Sequence, residues 1–459
     1  MFWLFWLGTI SVLLLHIVRT RIRNFQALPF VGHLPFFALQ SRQALLNWIH
    51  RGTGHNRGAS WRIEVPFIGR GWIIENPAII LVDGHKWKAQ RLAGHHAFSN
   101  NANLQSFGET ILPKHLDTLL SPFEHAIEDD KELDVQEARS NFAETSAAFT
   151  APFERASTVT QDRFTNPLYP VTEKLLPYGR RFKDDVAYVK SFGKRIVRSM
   201  SERLKEEEEG KTEMDEQVDA GQGLLLRELV KEYGKDDDYG FLADACLNFL
   251  TAGKDTTAQA LAWTIYELLR HPMLLANLQD EVDNVADDLS VADLTATDGP
   301  LQYMNAIISE SLRLHPPVPL EIHENISSEA ITLADGSMVG PGEIVLWSPW
   351  AMGRSTRIWG EDAAEFKPTR WFPEVQPQPT ITHPLKKTAF EFPVFHAGPR
   401  SCLGKNLAKI ELSYALLQIV RRYDMVPTWP LNREKDVGTA LTGPILGGLQ
   451  VRARRRGQL

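Results

Sequence analysis

Two segments of the sequence carry residue types that could do redox and proton-transfer chemistry together. The first is Phe395-His396-Ala397-Gly398-Pro399-Arg400-Ser401-Cys402-Leu403-Gly404, followed by Leu407, Ile410, Tyr414 and Leu417 at the spacing of one helix face. Cys402 therefore stands at a helix start, where unpaired backbone N–H groups and the positive end of the helix dipole favour a thiolate. The position is expected to lower the thiol's pKa and make the sulfur a ligand. Gly398 and Gly404 let the backbone pass close to a flat ligand, Arg400 supplies a fixed cation for a carboxylate, and Phe395 would shield the sulfur from water. A buried structural cysteine in a glycine-rich turn is the plainer alternative. It leaves Arg400 and the two glycines together unexplained.

The second segment runs from Phe241 to His271-Pro272 as a long helical pattern interrupted by Ala252-Gly253-Lys254-Asp255-Thr256-Thr257. Glycine and β-branched threonines cost helix stability, and a threonine hydroxyl turned back on a carbonyl one turn earlier loosens or bends the ladder. Such a gap can hold oxygen and water. On its own the segment reads more readily as a kinked core helix with a His-Pro stop, a preference that the cysteine segment reverses.

The cysteine segment matches the FxxGxRxCxG loop that binds heme in the cytochrome P450 superfamily at every fixed position. Five fixed residues would coincide by chance in a chain of this length with odds on the order of one in ten thousand. The resemblance covers essentially the whole chain and implies a mainly α fold with small β-sheets. In that fold, a triangular prism, heme lies between the long oxygen-activating helix and the helix after the cysteine loop. It further implies heme b as cofactor, with Cys402 as the axial metal ligand and Phe395, Gly398, Arg400 and Gly404 around it. Asp255 and Thr256 match the family's AGxDTT element, which implies catalytic roles in steadying dioxygen and supplying protons. Trp87 and Arg91, one turn apart, resemble the WxxxR pair that faces a heme propionate, and His323 falls where relatives place a donor to the other propionate. Glu310, Arg313 and Arg370 resemble the family's buried Glu–Arg–Arg cluster, a structural lock for the cysteine loop.

The same resemblance implies electrons from NADPH through a flavoprotein reductase, with cytochrome b5 as a further partner. Lys86, Lys88, Lys405 and Lys409 would form a basic face behind the sulfur that steers such a partner, though a solvated lysine face is the equal alternative. Ser348-Pro349-Trp350-Ala351-Met352-Gly353-Arg354 and the Gly-Pro-Arg-Ser-Cys-Leu-Gly-Lys-Asn loop resemble the fatty-acid and alkane hydroxylases of eukaryotic microsomes. A long-chain fatty acid or similar lipid is the substrate this implies.

The elements that must position these residues are helical from about Asp83 to His315, with short extended pieces near Trp72–Ile74, Ile331–Val339, Ile344–Trp347 and Leu446–Val451. A chain of 459 residues, 43% hydrophobic, can bury a large core, and no polar linker divides it. A net charge of -7 argues against wholesale nucleic-acid binding. The two cysteines, Cys246 and Cys402, make a disulfide framework improbable and fit a reducing compartment. Phe2 to Val18 is almost wholly apolar and runs into Arg19, Arg21 and Arg23. At about 1.5 Å per residue it reaches about 25 Å, enough for a short transmembrane anchor. Residues 1–24 thus read as a single-pass anchor with its basic flank in the endoplasmic reticulum membrane, and residues 25–459 as one cytoplasmic catalytic domain. A cleaved signal peptide is the rival, against which stand the absent basic leader and cleavage site.

The sequence departs from the family pattern between Pro77 and Asp83, where relatives carry a helix and a long loop over the substrate side of the heme; Asp134 to Thr160 is compressed as well. An opened site would favour uncoupling. A membrane-tethered heme-binding protein without monooxygenase turnover is therefore a competing class. A reductase-independent heme-thiolate isomerase or dehydratase is a third, disfavoured by the intact Asp255-Thr256 pair.

Overall fold

A computed structural model of the chain describes residues 42–55, 61–65, 69–73, 91–92, 94–95, 98, 100–138, 147–165, 169–209, 224–233, 239–286, 289–296, 298–372, 387–438 and 442–457. Its longer helices are α1 (Arg42–His55), α2 (Leu116–Glu128), α3 (Ala147–Thr165), α4 (Pro177–Glu208), α5 (Leu224–Tyr233), α6 (Tyr239–Arg270), α7 (Pro272–Asp283), α8 (Gln302–Leu314) and α9 (Lys405–Arg422). Proline sets several of their ends. Pro272, lacking an N–H for the ladder, closes α6 and opens α7, and Pro316-Pro317 keeps α8 from continuing past Leu314.

The expected interruption of α6 is not a break, for the helix runs through Ala252–Thr257 for 32 residues in all. The threonines fold back on their own turn: Thr251 Oγ1 donates to the Leu247 carbonyl and Thr256 Oγ1 to the Ala252 carbonyl, both at 2.7 Å. Each hydroxyl shares its carbonyl with the ladder, so polar side chains are satisfied inside an intact helix. From Ala260 onward α6 is buried on all faces, with Leu261, Thr264 and Ile265 fully enclosed where it packs on α8 and α9. A smaller apolar cluster of Val197, Leu204, Leu229 and Leu242 joins its first half to α4 and α5. Each such leucine or valine contributes about 1.5–3 kcal/mol by leaving water, so α6 is a stiff rail past the site.

The strands are short. β1 (Trp61–Val65), β2 (Gly69–Ile73), β7 (Ile344–Trp347) and β4 (Glu321–Glu324) form one sheet in that order, with β2 parallel to β7 and the other pairs antiparallel. β3 (Leu133–Asp134), β9 (Gln450–Arg455) and β8 (Tyr423–Pro427) form a second, and β5 (Ile331–Thr332) pairs with β6 (Met338–Val339). The extended piece expected at Leu446–Val451 is displaced toward the C-terminus. Gly447 and Gly448, at φ 78° and 72°, make a left-handed turn that no strand accommodates, and pairing starts only at Gln450. The fold is thus mainly helical with small, mostly antiparallel sheets.

The anchor expected over residues 1–24 and the short segment from Pro77 to Asp83 lie outside the described residues. Among the described residues no helix is long and apolar enough to cross a membrane.

Candidate active site

The Cys402 loop turns on two left-handed residues, His396 at φ 59° and Gly398 at φ 63°. Glycine adopts that region freely; His396 is held there by the Ala397 N–H, which donates to its Nδ1 at 2.8 Å. The chain folds back so that the Cys402 N–H donates to the Phe395 carbonyl at 2.8 Å. α9 begins only at Lys405, capped by Gly404.

Cys402 is exposed and lines a cavity of about 470 Å³. Phe395, Arg400, Cys402 and Gly404 of the loop line it together with Phe249, Gly253, Thr256 and Thr257 of α6. Protein crowded about the sulfur pushes the thiol pKa up, against the Gly404 N–H and the charges of Arg91 and Lys405, which pull it down. The expected lowering by the helix start is therefore overturned. The Gly404 N–H at the helix start acts in the expected direction, but desolvation is the larger influence. Cys246 behaves as a partly buried side chain whose thiol burial also raises.

These residues fit a flat, metal-bearing group. Gly253 and Gly404 both line the cavity, and a Cβ on either would meet no atom within 4 Å, so the space before them is clear of protein. The volume lies within the roughly 300–1,000 Å³ of small-molecule and cofactor pockets. Among the described residues no group of three or more His, Cys, Asp or Glu could hold a metal ion. A metal at Cys402 would need a carrier that supplies its other ligands, as a porphyrin does.

Of the residues expected around the cofactor's edges, Trp87 lies outside the described residues. Arg91 lines the cavity but turns to the loop, its Nη1 donating to the Ser401 carbonyl at 2.8 Å and its Nη2 to Ser401 Oγ at 3.3 Å. Arg400 lines the cavity. His323 is not among the lining residues; it stacks on Trp347 at 4.4 Å and meets His396, which does line the cavity, edge-on at 5.5 Å. Thr256 faces the cavity, whereas Asp255 stands beside it in sequence but not in the wall. Burial raises the Asp255 carboxyl pKa, with Lys254 opposing and Glu154 adding.

Of the lysines expected behind the sulfur, Lys86 and Lys88 lie outside the described residues. Lys405 is exposed, with its ammonium 5.8 Å from the Phe395 ring centroid. Lys409 is less exposed than Lys405. It is partly buried in the cavity wall, and burial, with Lys405 adding, pushes its pKa down.

Glu310 and Arg313 are fully buried and joined by Arg370, whose Nε donates to Glu310 Oε1 at 2.8 Å. Sequence reasoning missed Phe249 as a wall residue, although Phe249, Gly253, Thr256 and Ala260 recur at helical spacing and all line the cavity. It also missed His396 and Trp347, for which no spacing rule gave a signal.

The cytochrome P450 family model matches residues 73–444. Cytochrome P450 94A1 of Vicia sativa is 30% identical over 415 residues, covering 85% of this chain and 75% of that protein. Cytochrome P450 CYP94D108 of Paris polyphylla is 30% identical over 424 residues, 85% of this chain and 78% of its own length. Cytochrome P450 monooxygenase cyp1 of Mycosarcoma maydis is 29% identical over 323 residues, 67% of this chain and 49% of that protein.

Proposed function

The chain belongs to the cytochrome P450 family, and on that premise we propose that it holds heme b through Cys402 and inserts one oxygen atom of O2 into a lipid, a long-chain fatty acid being the favoured substrate. It is a cytochrome P450 monooxygenase. The observation that carries the site assignment is that Cys402 and Thr256, from elements far apart in sequence, line one cavity.

Heme held by a thiolate supplies the chemistry of RH + O2 + 2 e⁻ + 2 H⁺ → ROH + H2O, the sulfur's electron density favouring O–O cleavage. Cys402 provides the ligand, and the Gly404 N–H, Arg91 and Lys405 favour its anionic form. Thr256 Oγ1 donates its hydrogen bond to the Ala252 carbonyl at 2.7 Å, which leaves the lone pairs of Oγ1 to accept a hydrogen bond from the cavity. Asp255, whose pKa burial raises, holds a proton more readily than an exposed carboxyl and passes it on through water. Phe249 and Phe395 help keep bulk water out. Arg400 and His323, with Trp87 and Arg91, serve the propionates in this reading.

Electrons come from NADPH through a flavoprotein reductase, with cytochrome b5 as a second donor. Residues 1–24 anchor the chain in the endoplasmic reticulum membrane and residues 25–459 form the cytoplasmic domain, so substrate is taken from the bilayer. The fatty-acid assignment is supported by the Ser348–Arg354 and Cys402 sequence motifs and by the apolar character of the cavity wall, to which Phe98, Phe249, Leu312 and Val318 contribute.

The test is expression with a reductase, a carbon-monoxide difference spectrum, and a screen of fatty acids and related lipids. A red-shifted carbon-monoxide band that disappears in Cys402→Ala is expected, together with NADPH-dependent product. A thiolate band without turnover on any lipid would favour the tethered heme-binding reading instead.

A further inference from the structure

α9 borders a second cavity, of about 620 Å³, which shares with the Cys402 cavity only Lys409 among its lining residues. Its volume too is that of a small-molecule site, within roughly 300–1,000 Å³. Three elements wall it: the helix Asn101–Ser106 with the turn Phe107–Ile111 that continues it, the short helix Val291–Thr295, and α9. The continuing turn is a π-helix, its Leu112 N–H donating to the Phe107 carbonyl. Such turns are rare and are frequently found at functional sites. Gly108 seats it, for a Cβ there would strike Val291 Cγ2 and come within 3.3 Å of Ile410 Cγ2. The three walls therefore interlock at one point.

The lining residues include one cation, Lys409, and one carboxylate, Glu109. The fold keeps them apart. Lys409 makes no hydrogen bond or ion pair with any described residue, and burial lowers its pKa with Lys405 adding and no carboxylate opposing. Glu109 is exposed and accepts only from Gln105 Nε2, at 3.3 Å through Oε2, so Oε1 has no partner among the described residues. An ammonium drawn part-way out of water without a counter-charge is costly, and the carboxylate that could relieve it stands in the same cavity unjoined. The wall adds the side-chain amides of Asn101 and Asn406 and the apolar surfaces of Leu104, Val291 and Ile410.

We infer that this cavity binds a small zwitterion, a compound whose carboxylate meets Lys409 and whose ammonium, at its other end, meets Glu109. Each charge of the ligand then makes a charge-assisted hydrogen bond, and its apolar body lies on the leucine, valine and isoleucine. A dianion such as a phosphate monoester is disfavoured, because Glu109 repels it and a single ammonium cannot neutralise it. A simple organic acid would leave Glu109 without a partner.

The test uses the full-length, heme-loaded enzyme and calorimetric titration with ω-amino acids of increasing length, from glycine to ε-aminocaproate. Each is compared with the carboxylic acid and the amine of the same length. One length should bind best, because the two charges of the protein are fixed in place, and at least about tenfold more tightly than either singly charged analogue. Glu109→Gln, a change outside the Cys402 cavity, should weaken that zwitterion at least about tenfold while the carbon-monoxide spectrum stays as in wild type. Lys409→Met should weaken it as much, and Lys409→Arg, which keeps the charge, should retain most of the affinity. Equal binding of the zwitterion and the plain acid would remove Glu109 from recognition and overturn the assignment. Displacement of the probe by a long-chain fatty acid, or a shift of the heme absorption band as it binds, would place it in the Cys402 cavity and overturn the second site. No heat of binding in wild type from any member of the series at millimolar concentration would overturn it outright.

Discussion

Arg313 grips Glu310 with two hydrogen bonds, Nε to Oε2 at 2.8 Å and Nη2 to Oε1 at 2.7 Å, and both residues are 0% exposed. An i,i+3 pair on a helix surface would be worth little. Here the carboxylate also accepts from Arg370 Nε at 2.8 Å, the Lys367 N–H at 2.8 Å and Trp371 Nε1 at 2.9 Å. Arg313 in turn donates to the carbonyls of Ala363 at 2.6 Å, Glu365 at 2.8 Å and Gly353. The Trp371 ring packs on Phe392 at 5.0 Å, just ahead of the cysteine loop, so α8 is tied through this cluster to the segment that presents the sulfur.

Removing the carboxylate should therefore be severe. Glu310→Ala leaves Arg313 buried without its counter-charge and Arg370 with Asp362 alone, 3.2 Å from its Nη1, and is expected to cost about 3–5 kcal/mol. Urea unfolding of the purified protein checks this, with heme content as a second readout. A loss under about 1 kcal/mol, the scale of an exposed pair, would show that the cluster does not fix the loop.

Thr256→Ala should leave NADPH consumption in place while product per NADPH falls at least about tenfold and peroxide rises, because the Oγ1 facing the cavity is lost but α6 is not. Thr256→Ser keeps the hydroxyl and should recover most of the yield. Peroxide release equal to wild type in the alanine variant would argue against a role for Thr256 in proton delivery.

The site was legible in the sequence where a local rule binds chemistry to spacing. The fixed loop positions, Gly398 and Arg400 among them, and the i,i+3 Glu310-Arg313 pair depend on neighbours along the chain. What escaped depends on contacts across it. Thr256 looked like a helix breaker because propensity is counted residue by residue, while its hydroxyl folds onto Ala252 and α6 stays whole. The helix-start argument counted the N–H groups beside Cys402, and the Gly404 N–H does pull the thiol pKa down, but burial, which spacing does not reveal, outweighs it. Trp347 and His396 come together only when β7 meets the loop, which no periodicity announces.

Acid should weaken the protein through a buried pair the chemistry does not use. His315 Nε2 lies 2.6 Å from Glu267 Oε1, and His315 stacks on Trp263 at 4.1 Å. Burial pulls the His315 pKa below its ordinary 6.5, and Arg354 and Arg270 add repulsion against bonding and charge from Glu267 that pull the other way. Burial raises the Glu267 carboxyl, but His315, Arg270 and His271 outweigh it and the net direction is down. Both shifts have one sign. The unfolded chain takes up protons that the folded pair refuses, so stability is full above pH 6.5, declines as pH falls below it through His315, and declines again in the carboxylate range through Glu267. The slope from one such group reaches at most about 1.4 kcal/mol per pH unit. His315→Gln keeps an N–H for Glu267 but cannot titrate, so urea midpoints between pH 7 and 5 should fall less steeply than in wild type. Parallel slopes would show that His315 does not titrate differently on folding.

The two lysines of α9 should respond differently to charge reversal, because Lys405 is exposed and Lys409 is partly buried. Lys405 is exposed and its ammonium lies beside the Phe395 ring, where an acidic flavoprotein could reach it. Lys409, one turn on, is drawn into the cavity wall, and desolvation already disfavours its charge. Lys405→Glu should slow reduction by the reductase most at low ionic strength, where charges act over about 30 Å, and much less at physiological salt, where the range is about 8 Å. Lys409→Glu places a carboxylate where an ammonium was already poorly solvated, so its effect should appear first as lost stability in urea unfolding. Stopped-flow reduction across a salt series separates the two outcomes. A salt-independent rate in Lys405→Glu would remove the steering role, and a salt-dependent loss in a fully stable Lys409→Glu would show that its ammonium reaches the partner after all.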